Sequence, residues 1–320
     1  MNLAWLPGPL RFEHLDRRLV ILSLYGALNV GLALYFIPEF LRHPGVNDFA
    51  LWETLPAALE AGRLYEGHPS LPYIWSPIAA WAMLPVVALG YWGWATVHVL
   101  SVLLLRDWRL VGITFITWPF WHDVVQGNAF AFAFIAGVLA LRGNRAAALA
   151  YFVLLLLMPR PVQLPLAVWL LWKTPDLRWP FIGLFVIHAL AVWWSGYGTD
   201  WIQAMTSYGI DGPAQRHTDG PPAWLGSAWL LIGVPLGAWL TWRGRVGWAG
   251  LAISPYWLMP YYLMLLLELR IFREQDASLA PTGGRAGRPR DRNKTFGPLR
   301  WRFARRYGAH SHAETDHRCD

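Results

Sequence analysis

Cysteine and charge are both scarce in this sequence. Among 320 residues there is one cysteine, Cys319, so the chain can form neither an intramolecular disulfide nor a metal cage of thiolates. Only 15% of the residues are charged, whereas 55% are hydrophobic. A chain of this composition cannot bury all of its apolar side chains in one water-soluble core. The composition therefore predicts a protein that resides in a lipid bilayer.

Internal repeats of the kind that marks many secondary transporters are also absent from the sequence. The chain contains instead a series of long apolar segments. The first, residues 19–40, follows Arg17 and Arg18 and is long enough to cross the roughly 30 Å hydrocarbon core as a helix. A secretory signal peptide is the alternative, but the run is longer than a typical signal core and no small-residue cleavage site follows it.

Basic residues separate the apolar segments and indicate how the chain is oriented. They stand at Arg17/Arg18, Arg106/Arg109, Arg142/Arg145, Lys173/Arg178, Arg243/Arg245 and Arg270/Arg273. Short basic connections lie in the cytoplasm, so the more acidic connections 41–77 and 196–223 fall on the outer face. Satisfying all the basic pairs requires about ten crossings. Residues 74–106 are either one crossing plus a re-entrant piece or two crossings broken at residues 90–93.

These patterns divide the chain into three parts. Residues 1–17 form a cytoplasmic N-terminus, residues 18–272 an all-α polytopic transmembrane domain, and residues 273–320 a cytoplasmic tail. The tail has eleven Lys and Arg against six Asp and Glu, and almost no apolar periodicity. We therefore expect it to be disordered or bound to anionic lipid head groups.

The first outer loop, residues 41–77, is a polar, acid-bearing excursion between apolar segments. Helical spacing places four apolar residues on one face and Glu53 with Glu60 on another; the apolar residues are Leu51, Trp52, Leu55 and Leu59. Such a helix lies along the membrane surface rather than crossing it. Pro56 predicts a kink or a restart within it, and Gly62 predicts its end.

Asp48 stands at the start of this interfacial helix, and two roles are open to it. Asn47 or Asp48 can cap the helix, because a side-chain oxygen there accepts hydrogen bonds from the free N–H groups of the first turn. A carboxylate in a sufficiently closed site can also take a proton from an acceptor hydroxyl. The two roles are compatible.

The motif residues of this loop resemble those of a known family. Asp48-Phe49, Ala57-Ala58, Gly62, Leu64-Tyr65-Glu66, Tyr73 and Trp75-Ser76-Pro77 are similar to the first-loop pattern of glycosyltransferase family 87. That family comprises membrane mannosyltransferases of the GT-C type, which use a polyprenyl-phosphate sugar donor. Its pattern reads D-F-x-x-Y, then G-x-x-L-Y, then Y-P-P. Trp52 replaces the tyrosine here, and Trp75-Ser76 replaces Tyr-Pro.

Three further places resemble the family more loosely. Gln126-Gly127-Asn128 is similar to its G-Q-x-N or G-N element, residues 157–161 to its L-K-P-x-P element, and residues 254–257 to its S-P-x-S-W element. Met158 occupies the lysine position, and positive charge reappears at Arg160. Pro260, Tyr261 and Tyr262 stand where histidines often follow the last motif. The resemblance covers roughly residues 18–272.

The resemblance implies a GT-C-like bundle in the plasma membrane with its active site on the outer face. It implies transfer of a hexose, mannose in the family, from a polyprenyl-phosphate donor to a glycan or glycolipid acceptor, with inversion. Asp48 would be the catalytic base and Arg160 would bind the donor phosphate, with Arg42, Arg63 and Arg216 as alternatives for that contact on the outer side. The other substrate-binding candidates are Gln126, Asn128, Tyr65, Trp75, His122 and Asp123. A divalent metal ion is left open, and no nucleic acid is expected.

Each candidate also has a structural interpretation. Arg160 can reach the interface to escape lipid. Gln126 and Asn128 can make ordinary hydrogen bonds between helices. His122 and Asp123 can bind sugar or a divalent ion, or they can form an interfacial cap or a helix–helix hydrogen bond. The late aromatic residues can line a sugar or lipid groove, or belong to an interfacial belt; they are Tyr256, Trp257, Tyr261 and Tyr262.

Two other functions are compatible with the sequence. A transporter or lipid flippase would use its polar residues as a pathway, but it predicts ionisable residues near the middle of the bilayer, and this chain keeps nearly all of its charges at segment ends. A family relative without catalysis is the second alternative. In it, Asp48 would face lipid or be fully used as a cap.

Overall fold

The computed structural model describes residues 17–42, 48–66, 73–208, 218 and 220–269, and all regular structure in these ranges is helical. The α-helices are α1 Arg17–Arg42, α2 Asp48–Glu60, α3 Pro77–Ser101, α4 Trp108–Phe115, α5 Trp118–Gln126, α6 Phe130–Leu141, α7 Arg145–Leu157, α8 Leu164–Lys173, α9 Arg178–Trp194, α10 Gly198–Tyr208, α11 Pro221–Leu225, α12 Trp229–Trp242 and α13 Val246–Ile253. Helices of the 3₁₀ type occupy Val102–Leu105, Pro161–Gln163, Pro175–Leu177, Gly226–Ala228 and Met259–Glu268. The all-α prediction is confirmed for this part of the chain.

Three helical segments are long and apolar enough to cross a membrane. They are Pro77–Leu105 with 29 residues, Pro175–Trp194 with 20, and Pro221–Trp242 with 22. At 1.5 Å per residue each can span the roughly 30 Å hydrocarbon core. The chain is therefore a membrane protein by this criterion. The apolar helices α6 and α7 are shorter, so the larger number of crossings stays a prediction, as do the N-terminus and the tail, which lie almost wholly outside the described residues.

The segment 74–106 forms one bent element. Helix α3 runs from Pro77 to Ser101 and continues as a 3₁₀ helix to Leu105, but Gly90 inside it has φ 69° and ψ 170°. Only glycine adopts such a conformation without steric strain, so the bend is located at this residue. The break predicted at residues 90–93 is therefore present at Gly90, and the helix resumes directly after it.

The core lies between α5, α6, α7 and the 3₁₀ helix of residues 259–268. Its largest fully buried side chains include Phe120, Phe130, Phe134, Tyr151, Phe152 and Tyr261. Nearly every residue of α6 is buried, as expected for a central helix that is apolar on all sides. By contrast, α9 and α12 expose large apolar side chains such as Trp193, Trp194 and Leu231, which is appropriate for surfaces that face lipid.

Charged side chains pair at one end of the bundle. Arg142 contacts Asp107 at 3.3 Å, Arg145 contacts Asp176 at 2.8 Å, and Arg245 contacts Glu268 at 3.3 Å. These residues adjoin the ends of the long segments at Leu105, Pro175 and Trp242.

The opposite ends of the three segments meet the two predicted outer loops. The indole N–H of Trp201 donates to the carbonyl of Ile74, and the rings of Tyr65 and Tyr197 lie 6.0 Å apart. The ring of Tyr208 lies 6.0 Å from that of Tyr256. The two loops thus come together at the end of the bundle that is far from the paired charges.

Candidate functional site

Helix α2 packs against the protein through the face predicted from its sequence. Leu51, Trp52 and Leu55 are buried, whereas Glu53 and Glu60 are exposed. The helix ends with Gly62 at φ 67°, where the N–H of Arg63 donates to the carbonyl of Ala58 at 2.9 Å. This is the predicted C-terminal glycine. The prediction at Pro56 was a kink or a restart, and the helix continues through it without a restart; the proline, which has no N–H, costs the helix one internal hydrogen bond.

The C-terminus of α5 anchors α2. The carbonyl of Gly127 accepts indole N–H bonds from Trp52 at 3.1 Å and from Trp94 at 2.9 Å. Gly127 has φ 67°, and a Cβ atom placed on it would lie 2.5 Å from Cβ of Phe49. The backbone of α5 and the first turn of α2 are therefore in direct contact, which a side chain at residue 127 would prevent.

A partly open cavity lies beside the first turn of α2, with about 490 Å³ of empty space that includes its mouth. Its walls come from both predicted outer loops, from the turn after α5, from the segment between α7 and α8, and from the segment after α13. The lining residues are Asp48, Leu51, Ile74, Trp75, Asn128, Arg160, Tyr208, Tyr256, Leu258 and Tyr261. Among the described residues, this cavity brings together the carboxyl group of Asp48, the guanidinium group of Arg160 and three tyrosines.

Asp48 is the first residue of α2, and its side chain is partly buried. Burial raises the pKa of its carboxyl group to about 6, because the charged form loses hydration; the positive charge of Arg160 opposes this shift, and the negative charge of Asp123 adds to it. A carboxyl group with this pKa is ionised at neutral pH yet basic enough to accept a proton. Residue 47, the cap position, lies outside the described residues.

Arg160 precedes the 3₁₀ helix Pro161–Gln163 and is only 7% exposed. Its Nη2 donates to Oδ1 of Asn128, and its guanidinium carbon lies 5.1 Å from the centroid of the Phe130 ring and 5.9 Å from that of Tyr261. Its Nη1 is buried without a hydrogen-bond partner among the described residues. The aromatic rings stabilise the cation, and Nη1 is the donor that remains for a ligand.

Asn128 holds Arg160 in this position. Its Oδ1 accepts from Arg160 and also from the N–H of Ala129 at 2.7 Å. Because the side-chain oxygen has two donors, its orientation is fixed and the guanidinium is held at the cavity wall. Asn128 therefore supports the cation as well as lining the cavity.

Trp75 and Tyr65 have different places. Trp75 lines the cavity and stacks on Trp52, with ring centroids 4.1 Å apart and an interplanar angle of 14°. Tyr65 lies behind it and donates its hydroxyl to the carbonyl of Trp75 at 2.7 Å. Tyr65 thus positions the loop, and it is not among the lining residues.

Three other candidates do not line the cavity. Gln126 is the last residue of α5, and the ring of His122 lies 6.2 Å from that of Trp118. Asp123 is fully buried, and its Oδ2 accepts the N–H of Ala131 at 2.7 Å. This contact is the helix–helix hydrogen bond that the sequence left open, made from α5 to the first turn of α6. Among the described residues no group of three His, Cys, Asp or Glu could hold a metal ion.

Sequence reasoning missed Tyr208 and His98. Tyr208 is the last residue of α10 and lines the cavity from the late outer loop. Burial raises the pKa of its hydroxyl group above the usual value for tyrosine. Its hydroxyl therefore stays a donor at neutral pH. His98 is buried in α3 with Nε2 3.6 Å from Oδ2 of Asp123. The only sequence signal for it was a single histidine in an apolar helix.

Comparisons of the chain with models of protein families, with curated proteins and with solved structures found no match. The resemblance to glycosyltransferase family 87 therefore depends on the motif residues alone. Of these, Asp48, Trp75, Asn128, Arg160 and Tyr256 line the cavity.

Proposed function

We propose that this protein is a membrane glycosyltransferase that moves a hexose, mannose by resemblance, from a polyprenyl-phosphate donor to an outer-face glycan or glycolipid. One observation carries the proposal: a carboxylate with a raised pKa and a buried arginine with an unpartnered N–H group line the same cavity. Transfer of a sugar away from a phosphate requires these two groups, a base for the acceptor and a cation for the leaving group.

Asp48 acts as the general base. The acceptor hydroxyl oxygen attacks the anomeric carbon from the face opposite the phosphate, and its proton passes to the Asp48 carboxylate. The new glycosidic C–O bond forms as the bond between the anomeric carbon and the phosphate oxygen breaks, so the configuration inverts. The transition state resembles an oxocarbenium ion, which the nearby carboxylate also stabilises electrostatically. The proton then leaves Asp48 for solvent.

Arg160 stabilises the departing polyprenyl phosphate. A guanidinium group forms parallel N–H bonds with phosphate oxygens, and such charge-assisted bonds are strong in a site shielded from water. Among the described residues Nη1 has no hydrogen-bond partner, and the bond from Nη2 to Oδ1 of Asn128 holds the guanidinium group at the cavity wall. The resemblance predicts a lysine two residues earlier, at Met158. Arg160 takes over that role in this proposal.

The proposed site belongs to the outer face of the plasma membrane. The paired basic residues stand at the far end of the bundle, and the positive-inside rule assigns that end to the cytoplasm. The predicted ten crossings of a GT-C-like bundle would require that, besides the three long segments, α1, α4 with α5, α6, α7, α8, α13 and the 3₁₀ helix of residues 259–268 also cross.

The test is transfer by the purified protein in lipid vesicles. Radiolabelled polyprenyl-phosphate mannose and polyprenyl-phosphate glucose are supplied separately with a crude membrane-glycan acceptor, with and without a chelator of divalent cations. Label that enters the acceptor supports the proposal. Movement of labelled lipid across the vesicle membrane without transfer would favour the transporter or flippase, and the absence of both activities would favour a relative without catalysis.

A further inference from the structure

A narrow slot also adjoins Arg160, with about 170 Å³ of empty space that includes its mouth. Arg160 lines this slot as well as the cavity. Most of the slot wall is apolar and comes from the start of α6 and the end of α7, with Phe130 and Met158 among its residues. Gln163 is the other polar residue among the described residues that line it. The slot is thus an apolar space next to the cavity, with two polar side chains in its wall.

The backbone around Gln163 is fixed by close contacts. The N–H of Gln163 donates to the carbonyl of Arg160 at 3.0 Å, and its own carbonyl accepts from the hydroxyl of Tyr151 at 2.8 Å. A Cβ atom placed on Gly250 would lie 2.3 Å from the carbonyl oxygen of Val162, so α13 packs directly on the same turn. These contacts hold Gln163 beside Arg160 without using its side chain.

The backbone contacts do not explain the side-chain amide of Gln163. The residue is only 2% exposed, and its Oε1 is buried without a hydrogen-bond partner among the described residues, as is Nη1 of Arg160. An unpartnered buried acceptor is unfavourable, and methionine or leucine would fill the same space without it. An unpartnered donor and an unpartnered acceptor at one slot indicate a ligand that satisfies both.

A hydroxyl group is the chemical group that fits this pair. Its oxygen accepts from an arginine N–H, and its hydrogen is donated to an amide oxygen. A phosphodiester is ionised at neutral pH and has no hydrogen to donate to Oε1, and an isoprenoid chain would leave both polar groups without a partner. The apolar wall of the slot, which includes Phe130, suits the C–H groups that flank a sugar hydroxyl.

We propose that Gln163 and Arg160 bind the C2 hydroxyl of the donor hexose, and that Gln163 is a specificity-determining residue of the reaction. The inference rests on the proposed function, in which Arg160 binds the donor phosphate. The C2 hydroxyl is next to the anomeric carbon that carries this phosphate, so one guanidinium group reaches both. Nη1 has two hydrogens, enough for a phosphate oxygen and the hydroxyl. Hydrogen bonds to this hydroxyl strengthen in an oxocarbenium-like transition state.

Gln163→Met tests the inference, because methionine keeps the volume of the side chain and removes the amide. The protein in lipid vesicles receives polyprenyl-phosphate mannose or its 2-deoxy analogue with a crude membrane-glycan acceptor, and kcat/KM is measured for each donor. The intrinsic reactivities of the donors differ, but this difference is the same for every variant and cancels when the ratios are compared. The preference for mannose over 2-deoxymannose should be about 10–100-fold smaller in Gln163→Met than in the wild type, with thermal stability unchanged or higher.

Gln203→Met is the matched control, because it makes the same change at an exposed glutamine of α10. It should leave the ratio of the two donors unchanged. Gln163→Leu serves if Gln163→Met does not fold. A wild-type ratio in a folded Gln163 variant would overturn the inference, as would failure of both apolar variants to fold.

Protection from thermal unfolding by each donor, measured without an acceptor, separates the inference from the proposed function. Stronger protection by the mannose donor than by the 2-deoxy donor, lost in Gln163→Met, in a protein that transfers no sugar would overturn the proposed function alone. Transfer with the same preference in the wild type and in Gln163→Met would overturn the inference alone. Neither transfer nor protection with either donor would overturn both.

Discussion

Asp48 and Arg160 are opposite charges in a cavity whose other polar groups are neutral, and their environments differ. Asp48 has lost hydration without gaining a strong partner, so its pKa rises to about 6. Arg160 is enclosed by Phe130 and Tyr261 and held by Asn128. These surroundings let Asp48 change its protonation near neutral pH, and they hold the cation of Arg160 in a fixed position.

The raised pKa of Asp48 predicts a pH-dependent stability effect. Its folded-state pKa lies above the ordinary value, so the contribution of the group to stability is full below about pH 4 and is lost as pH rises through about 6. Asp48→Asn should therefore stabilise the protein by about 1–3 kcal/mol at about pH 8 and have almost no effect at about pH 4. Thermal unfolding in detergent across this range measures the difference.

Glu53→Gln is the control for that measurement. Glu53 lies on the exposed face of the same helix, so its loss should change stability equally at both pH values. A destabilised Asp48→Asn at alkaline pH would show that the carboxylate is needed by the fold, for example as a cap, and would contradict the assigned pKa.

Arg160 gives a second prediction at this scale. Arg160→Lys keeps the charge and loses the planar fork, so the rate of transfer should fall about tenfold, whereas Arg160→Gln should lower it by about 10²–10³-fold. The effect should be on kcat with a polyprenyl-phosphate donor. Arg63→Gln changes an exposed arginine on the same side, paired with Glu66 at 3.4 Å, and should leave the rate unchanged. Equal rates for Arg160→Gln and the wild type would remove Arg160 from the mechanism.

Individual residues were predictable from the sequence where a short motif held them. Asp48 and Trp75 belong to one loop, and Arg160 was the only positive charge beside a break between prolines. Tyr208 was not predictable, because its place depends on α10 folding back over residue 74 through Trp201. Gln126, His122 and Asp123 are close in sequence to Asn128, but helix α5 directs their side chains elsewhere.

At the scale of elements, the contact between α2 and the end of α5 determines where Asp48 stands. The carbonyl of Gly127 binds two tryptophans, and Phe49 occupies the space where a side chain of residue 127 would be. Helix α2 is thus held by a backbone contact rather than by its modest apolar face alone. A small displacement there would move Asp48 relative to Arg160.

Gly127→Ala should therefore destabilise the protein and separate the two charged groups. The left-handed conformation costs about 1–2 kcal/mol in any non-glycine residue, and the overlap with Phe49 adds about 1–3 kcal/mol. Gly143→Ala is the matched control, because Gly143 also has a positive φ, 85°, but nothing lies near its added Cβ. Thermal unfolding should show a larger loss for Gly127→Ala. Equal losses of stability in the two variants would mean that Phe49 of α2 does not pack closely against residue 127 at the end of α5.

The elements themselves were predictable to different extents. The apolar face of α2 and its glycine end follow from local spacing, which the structure confirms. The continuation of α2 through Pro56 and of α3 through Gly90 did not follow from the sequence. A proline or a glycine in the sequence marks where a helix can bend or break. Whether the helix resumes depends on how the segments on both sides of that residue pack.

At the scale of the whole molecule, the paired basic residues lie at one end of the bundle and the cavity with Asp48 lies at the other. The positive-inside rule then predicts which end is accessible from outside the cell. In a Cys319→Ser background, Glu66→Cys should react with a membrane-impermeant maleimide on intact cells, whereas Asp176→Cys should react only after permeabilisation. Both side chains are 69% exposed, so the comparison is matched for accessibility. The reverse pattern would place the cavity in the cytoplasm.

The membrane class of the protein could be predicted from composition, because a chain this apolar cannot bury all of its apolar side chains in one water-soluble core. The number of crossings could not, because helices such as α6 and α7 are short, and the irregular segments that join α5 to α6 and α7 to α8 line the cavity. Irregular backbone inside a membrane is tolerated where it lines a polar site. The features that make the segments hard to count are therefore those that form the cavity.

The most direct test of the account is the rate of mannose transfer by the wild type, Asp48→Asn and Glu53→Gln as a function of pH, with polyprenyl-phosphate mannose as donor. The wild-type and Glu53→Gln rates should be equal and should rise as pH passes through about 6. Asp48→Asn should be slower by about 10²–10⁴-fold above about pH 7, and this difference should shrink as pH falls below about 6, where Asp48 of the wild type becomes protonated. Transfer by Asp48→Asn at the wild-type rate, with the same pH dependence, would contradict the account.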